Sequence, residues 1–270
     1  MYCAFFWTAS ADNGEVPMRR LLLCVSIAAL GVAGGASADF FEGLVLYLPL
    51  DEGAGEVAGD LSGLGHDGVI DNPVWGPGKH GEALVLGGEA SGTFVTVEST
   101  ADLNMNEMTF MAWVNANTWD GTRQIVGKSV HGGCAGRTQF GLFSEGGQFR
   151  LRFETVAGRS DISVELPEVE VWVHIAVTND GGEGRIYYDG EEIGVGPVAG
   201  DLNANEDPWR LGQDCERLNY IFDGSIDEAR QWNRALSADE IGEYMDTGVE
   251  ALAVDPSGKL STTWGHLRRR

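Results

Sequence analysis

Met108-Thr109-Phe110-Met111-Ala112-Trp113-Val114 is the stretch on which the fold turns. It is apolar at nearly every position, too short for a free-standing helix, and rich in residues that suit a pleated surface. Such a run is a strand buried on both faces. Val171-Trp172-Val173-His174-Ile175-Ala176-Val177 reads the same way, as a second central strand, with Trp113 and Trp172 in the core and His174 a core or inter-strand histidine. Gln148-Phe149-Arg150-Leu151-Arg152-Phe153 instead alternates polar and apolar, so one of its faces is wet. Leu44-Val45-Leu46-Tyr47-Leu48, Ala83-Leu84-Val85-Leu86 and Phe94-Val95-Thr96-Val97 are further strands.

The connections agree with this reading. Arg185-Ile186-Tyr187-Tyr188 and Glu191-Glu192-Ile193 flank Asp189-Gly190, a strong hairpin signal, and Gly146-Gly147 turns a second hairpin. One helix interrupts the pattern. Ser237 with Glu240 three residues on is a capping box, and the helix that follows is expected to end near Gly248. Many short strands with glycine-rich turns predict an all-β, two-sheet antiparallel jelly-roll sandwich carrying one short C-terminal helix.

The two ends lie outside that pattern. Met18-Arg19-Arg20, the apolar run from Leu21 to Leu30, and Ala36-Ser37-Ala38 form a secretory signal peptide in their order of basic, apolar and small residues. The apolar run is shorter than the roughly 20 residues a bilayer span needs. Residues 1–38 are thus assigned to a signal peptide, with translation starting at Met18 or at Met1. Residues 39–248 are the folded domain and 249–270 a C-terminal tail. Export predicts a secreted, periplasmic or cell-surface protein.

Cleavage removes two basic and two acidic residues, so the formal charge stays at −23. That charge repels nucleic acid and anionic membrane surfaces. Cys134 and Cys215 remain. In an oxidising compartment they suit one disulfide, and closing a loop of about 80 residues would contribute roughly 4 kcal/mol. Two buried free thiols are the alternative.

Four segments, in order, resemble the laminin G-like jelly roll of the concanavalin A-like lectin/glucanase superfamily, in its bacterial exported branch. They are Gly43-Leu44-Val45-Leu46-Tyr47-Leu48-Pro49-Leu50-Asp51-Glu52-Gly53; Asp60-Leu61-Ser62-Gly63-Leu64-Gly65-His66-Asp67-Gly68 with Trp75 and Gly81-Glu82-Ala83-Leu84; the Met108–Val114 and Trp172–Val177 pair with Tyr188-Asp189-Gly190; and Phe222-Asp223-Gly224-Ser225-Ile226-Asp227-Glu228-Ala229-Arg230 followed by Asn233-Arg234-Ala235-Leu236-Ser237. The resemblance covers roughly residues 43–247. It departs at Val173, where the family often has a first of two histidines, and at Ala229 and Gln231, where aliphatics are usual. The resemblance implies the fold and a binding role, without naming a ligand.

Three chemistries follow. The first is structural calcium, which takes hard oxygens from carboxylates and carbonyls on a flexible loop. Asp60, Ser62 and Asp67 supply such oxygens among glycines. The resemblance adds Asp227, with carbonyls near Ser62 and His66. Strand parity with Ala229 and Gln231 would turn Asp227 toward the sandwich interior, where a buried carboxylate needs a partner. Asp60 and Asp67 acting only as turn caps is the alternative.

The second chemistry is glycan binding. Trp119, in a predicted loop with Asp120 and Arg123, reads as the exposed aromatic. Arg137 and Tyr220 sit beside the two cysteines and would be drawn together by their bridge.

The third is hydrolysis, which needs two carboxylates across the scissile bond. Glu165, Glu168 and Glu170 lie close together, but Pro167 breaks the stretch into a loop entering a strand. The sequence carries no serine-histidine-aspartate signature, phosphate loop or zinc-type cluster. The reading is therefore a non-catalytic module binding a glycan or glycoprotein. A protein-adhesion or scaffold module is the alternative, and a glycoside hydrolase the third possibility.

Overall fold

The computed structural model describes residues 40–128, 139–214 and 220–248. The signal peptide, the tail, Cys134, Cys215 and Arg137 lie outside the described residues. In chain order the strands are β1 (Leu44–Leu48), β2 (Val57–Ala58), β3 (Gly68–Asp71), β4 (Trp75–Pro77), β5 (Glu82–Gly87), β6 (Phe94–Val97), β7 (Met108–Ala116) and β8 (Arg123–Lys128). They continue with β9 (Phe140–Glu145), β10 (Gln148–Thr155), β11 (Gly158–Val164), β12 (Val173–Asn179), β13 (Glu183–Tyr188), β14 (Glu191–Pro197), β15 (Trp209–Leu211) and β16 (Asp223–Trp232). Helix α1 (Ala238–Tyr244) follows.

The strands form two eight-stranded antiparallel sheets. One runs β14-β13-β12-β7-β16-β5-β4, with β1 added beside β16; the other runs β11-β10-β9-β8-β15-β6-β3-β2. The all-β sandwich expected from the sequence is the observed fold. Strand β7 is buried on both faces, as its composition requires. Phe110, Ala112 and Val114 point into the core between the sheets, while Met111 points outward into a second apolar cluster. Both hairpin turns take the left-handed backbone their residues favour: Asp189 and Gly190 have φ of 49° and 83°.

The second cluster explains the helix. Phe40, Tyr47, Trp232, Ile241 and Tyr244 pack on the outer face of the first sheet. Trp232 and Tyr244 stack with ring centres 6.1 Å apart. Burying aromatics of this size contributes about 1.5–3 kcal/mol each, far more than a seven-residue helix gains alone. The capping box forms as expected: Glu240 N donates to Ser237 Oγ, and Ser237 N donates to Glu240 Oε2 at 2.8 Å. The helix ends at Tyr244 rather than near Gly248, and Arg230 ties down the chain there: Nη1 donates to Tyr244 O at 2.8 Å and Nη2 donates to Thr247 O, in the turn beyond the helix.

Strand β16 corrects the expected parity of Asp227. Its register to β7 shifts between Asp227 and Arg230, and Glu228 sits at φ 56°. This bulge inserts one residue into the alternation. Ile226 and Ala229 therefore both face the inner core. Asp227, opposite Trp113, faces the outer side. Gln231 points inward and accepts a hydrogen bond from Trp209 Nε1 at 3.0 Å. No helix among the described residues is long and apolar enough to cross a membrane.

Candidate functional site

The edge strands of the two sheets, β11 and β14, meet along one side of the sandwich. Glycines make the close approach feasible. A Cβ on Gly194 would lie 2.5 Å from Val164 Cγ1, and one on Gly196 would lie 2.9 Å from Ile162 Cγ1. An open groove of about 730 Å³ lies at this junction. Its apolar lining includes Val164, Leu166, Trp172, Tyr188 and Ile193; Glu165 and Glu168 supply carboxylates.

The loop that borders the groove is held from below by two aromatic side chains. Tyr188 Oη donates to the carbonyl of Glu165 at 2.9 Å, and Trp119 Nε1 donates to the carbonyl of Pro167 at 2.9 Å. Burial raises the Tyr188 pKa, so the phenol keeps its proton and its donor role. The far wall is fixed as well. Asp189 Oδ1 accepts from His174 N at 2.9 Å, and Asp189 N donates back to His174 O at 2.9 Å. The groove is thus pre-formed, which reduces the ordering cost of binding. The side chains of Glu165 and Glu168 make no hydrogen bond or ion pair among the described residues.

Trp172 and Trp119 exchange the places expected of them. Trp172 stands one residue before β12, is partly exposed and lines the groove. Trp119 is only 8% exposed, with its ring centre 5.5 Å from that of Phe149 and 5.6 Å from that of Phe222. It is a packing residue whose indole N–H orders the groove loop, so the expectation of an exposed Trp119 is corrected. Trp119→Ala should cost about 3–5 kcal/mol in urea unfolding; a cost below about 1 kcal/mol would remove it from the packing under the groove.

The neighbours of Trp119 divide. Asp120 is exposed, whereas Arg123 Nη1 donates to Ile221 O at 3.2 Å and braces the chain just before β16. Tyr220 is half-buried. His174 is 1% exposed, packs edge-on to Trp113, and is held neutral by burial, its pKa lowered to about 3. Trp113 is buried as expected.

The residues expected to bind calcium fall into two places. Asp60, Ser62, His66 and Asp67 do come together, in one loop. Asp60 Oδ1 accepts from Tyr47 N and Ser62 N, and its Oδ2 accepts from Ser62 Oγ and His66 N, at 2.7–3.0 Å. Asp67 Oδ1 accepts from Asp60 N at 2.9 Å. The His66 ring lies 2.9 Å from Val45 O through Nδ1. Four donors occupy the acceptor sites of the Asp60 carboxylate. That arrangement ties β1 to the loop and does not fit a cation at Asp60.

Asp227 is different. It is fully buried, Oδ2 accepts from His80 N at 2.9 Å, and Oδ1 has no partner. A Cβ on neighbouring Gly78 would lie 2.7 Å from Oδ2 and 2.3 Å from Glu82 O, so only glycine fits beside this carboxylate. Burial pushes the Asp227 pKa up to about 8, helped by the Glu228 and Asp51 carboxylates and opposed by the backbone N–H groups of His80 and Lys79. An orphaned buried acceptor of this kind fits a cation. Among the described residues, however, no three His, Cys, Asp or Glu side chains gather as a metal set. Backbone oxygens would have to complete any coordination.

Comparison with solved structures places this geometry among known folds. The chain is similar to the binding domain of Paraclostridial Mosquitocidal Protein 1, at 17% identity and a TM-score of 0.61, over 74% of this chain and 51% of that one. It is similar to domain 4 of AbnA, a GH43 extracellular arabinanase from Geobacillus stearothermophilus in complex with arabinotriose, at 20% identity and 0.59, over 74% and 97%. It is also similar to the binding domain of botulinum neurotoxin DC in complex with SialylT, at 13% and 0.59, over 75% and 51%. The chain therefore spans about half the length of the toxin domains it matches, and identities this low establish the fold alone. Comparison with curated proteins gives no match. The laminin G type family model of the concanavalin A-like lectin/glucanases superfamily matches residues 88–242, and the protein belongs to that superfamily.

Proposed function

We propose that this protein is an exported, non-catalytic module that binds a carbohydrate or glycoconjugate in the groove at the β11–β14 junction. One observation carries the reading: a pre-formed open groove pairs partly exposed Trp172 with two unengaged carboxylates, Glu165 and Glu168. Aromatic faces take the apolar face of a sugar ring, and a few polar groups fix its orientation. The arabinotriose and SialylT complexes of the similar domains support a glycan as ligand for this architecture.

Trp172→Ala should lower affinity for a glycan hit by at least about ten-fold, or roughly 1.4 kcal/mol, with an unchanged melting temperature. A glycan array followed by calorimetry on the wild type and this variant makes the check. Unchanged binding by the variant would exclude the groove as the site.

A structural calcium belongs to the proposal at Asp227, where a cation would supply the partner that Oδ1 lacks and hold the carboxylate ionised. Protein adhesion is the second reading. It is favoured by the exposed side chains of Val169, Val171, Ile193 and Val195, 39–50% accessible, beside the same groove. An empty glycan array would shift the weight to it.

A further inference from the structure

We propose that the groove selects amino sugars, in oligosaccharides of 2-amino-2-deoxyhexose, over neutral and acidic glycans. The inference rests on the glycan reading above and adds the charge of the ligand. The charged side chains lining the groove are Glu165, Glu168 and Asp189, and none of the lining residues is basic. Asp189 is already engaged by the His174 N–H. Glu165 and Glu168 are exposed and unengaged, and the whole chain carries a formal charge of −23.

Each ligand class meets this lining differently. A sialylated or uronic oligosaccharide brings a carboxylate into a field of its own sign with no guanidinium or ammonium to receive it. A sugar bearing only hydroxyls gains ordinary hydrogen bonds. A protonated amine on the ring gains a charge-assisted hydrogen bond to Glu165 or Glu168. It gains again if the ammonium lies over the edge of the Trp172 face. The 2-amino group projects from the rim of the pyranose, so the apolar ring face remains free to lie on the indole.

The test is tryptophan-fluorescence titration or calorimetry with glucosamine oligomers, N-acetylglucosamine oligomers of the same length, and a sialylated oligosaccharide. The titrations are run at about pH 6, where the sugar amine is charged, in low and in high salt. The glucosamine oligomer should bind about ten-fold more tightly than its acetylated counterpart at low salt. The preference should shrink to about two-fold or less at high salt, where screening is strong. It should shrink equally in the double variant E165Q/E168Q, whose melting temperature serves as the control for folding. Trp172→Ala should remove binding of both oligomers. Equal affinity for the two oligomers, or tighter binding of the sialylated one, would overturn the charge selection and leave the glycan reading in place. Absence of binding to every sugar would overturn both.

Discussion

Replacing Arg230 with methionine should lower stability by about 3–5 kcal/mol, the cost of breaking a buried ion pair from one side. Arg230 and Glu228 are each 1% exposed. Arg230 Nη2 donates to Glu228 Oε2, to Tyr47 Oη and to Thr247 O, and Nη1 donates to Tyr244 O. Tyr47 Oη donates to the same Glu228 oxygen at 2.6 Å, and the guanidinium lies 4.6 Å from the Tyr47 ring centre. One side chain thus neutralises the bulge residue, braces β1 and closes the end of α1.

Methionine fills similar space but strands the Glu228 charge and takes the guanidinium from the Tyr244 and Thr247 carbonyls. The double variant R230M/E228Q should recover part of the loss, because the stranded charge is then gone. Urea unfolding of the three proteins measures this. A cost below about 1 kcal/mol for R230M would mean that aromatic packing alone seats the helix. The consequence reaches the groove, since a Cβ on Gly190 would lie 3.7 Å from Met245 Sδ, so the Asp189-Gly190 turn rests on the residues ending α1.

The second large effect concerns pH. Because folding raises the Asp227 pKa to about 8 from an ordinary carboxyl value, the folded state holds a proton that the unfolded chain has lost. Between about pH 4 and pH 8 the unfolded state binds fewer protons, so stability falls as pH rises, by up to about 1.4 kcal/mol per unit. The contribution is intact below the unfolded pKa and flattens above the folded one. Asp227→Asn keeps an acceptor for His80 N and removes the titration. Its stability advantage over the wild type should be small near pH 4 and reach a few kcal/mol near pH 8.

The difference between the two proteins is the quantity to measure. Asp180, held below its ordinary value by the Glu183 N–H and the Arg185 guanidinium, acts in the opposite sense at lower pH and is common to both. Melts in chelator and in calcium extend the test to the metal. If calcium binds at Asp227, it should raise the melting temperature of the wild type near pH 8 and leave D227N unmoved. Equal melting with and without calcium would exclude that site. A pH-independent difference between the variants would mean that water reaches Oδ1.

Much of the fold was readable because it depends on short-range pattern. The two-sided burial of Met108–Val114, the Asp189-Gly190 hairpin and the Ser237–Glu240 capping box each follow from a few adjacent residues and reappear as expected. Exposure was less legible. Trp119 and Trp172 have the same chemistry; one lies in the loop between β7 and β8 and the other directly precedes β12. Which one is covered depends on Phe149 and Phe222, brought in from distant parts of the chain. Asp227 was misplaced for a related reason. Alternation along β16 predicts its face only if the alternation is unbroken, and the bulge at Glu228 is stabilised by Arg230 and Tyr47 rather than by any local turn signal.

The sequence by itself determined the all-β sandwich, its longer apolar strands, the hairpin turns at Gly146-Gly147 and Asp189-Gly190, and the helix start, because these rest on alternation, turn chemistry and capping within a few residues. Only the tertiary structure decided where the helix stops, which way Asp227 points, that Asp60 is saturated by its own loop, and that Trp172 rather than Trp119 meets solvent. Each of those depends on partners far apart in the chain, and burial and hydrogen-bond saturation exist only once the sheets have packed.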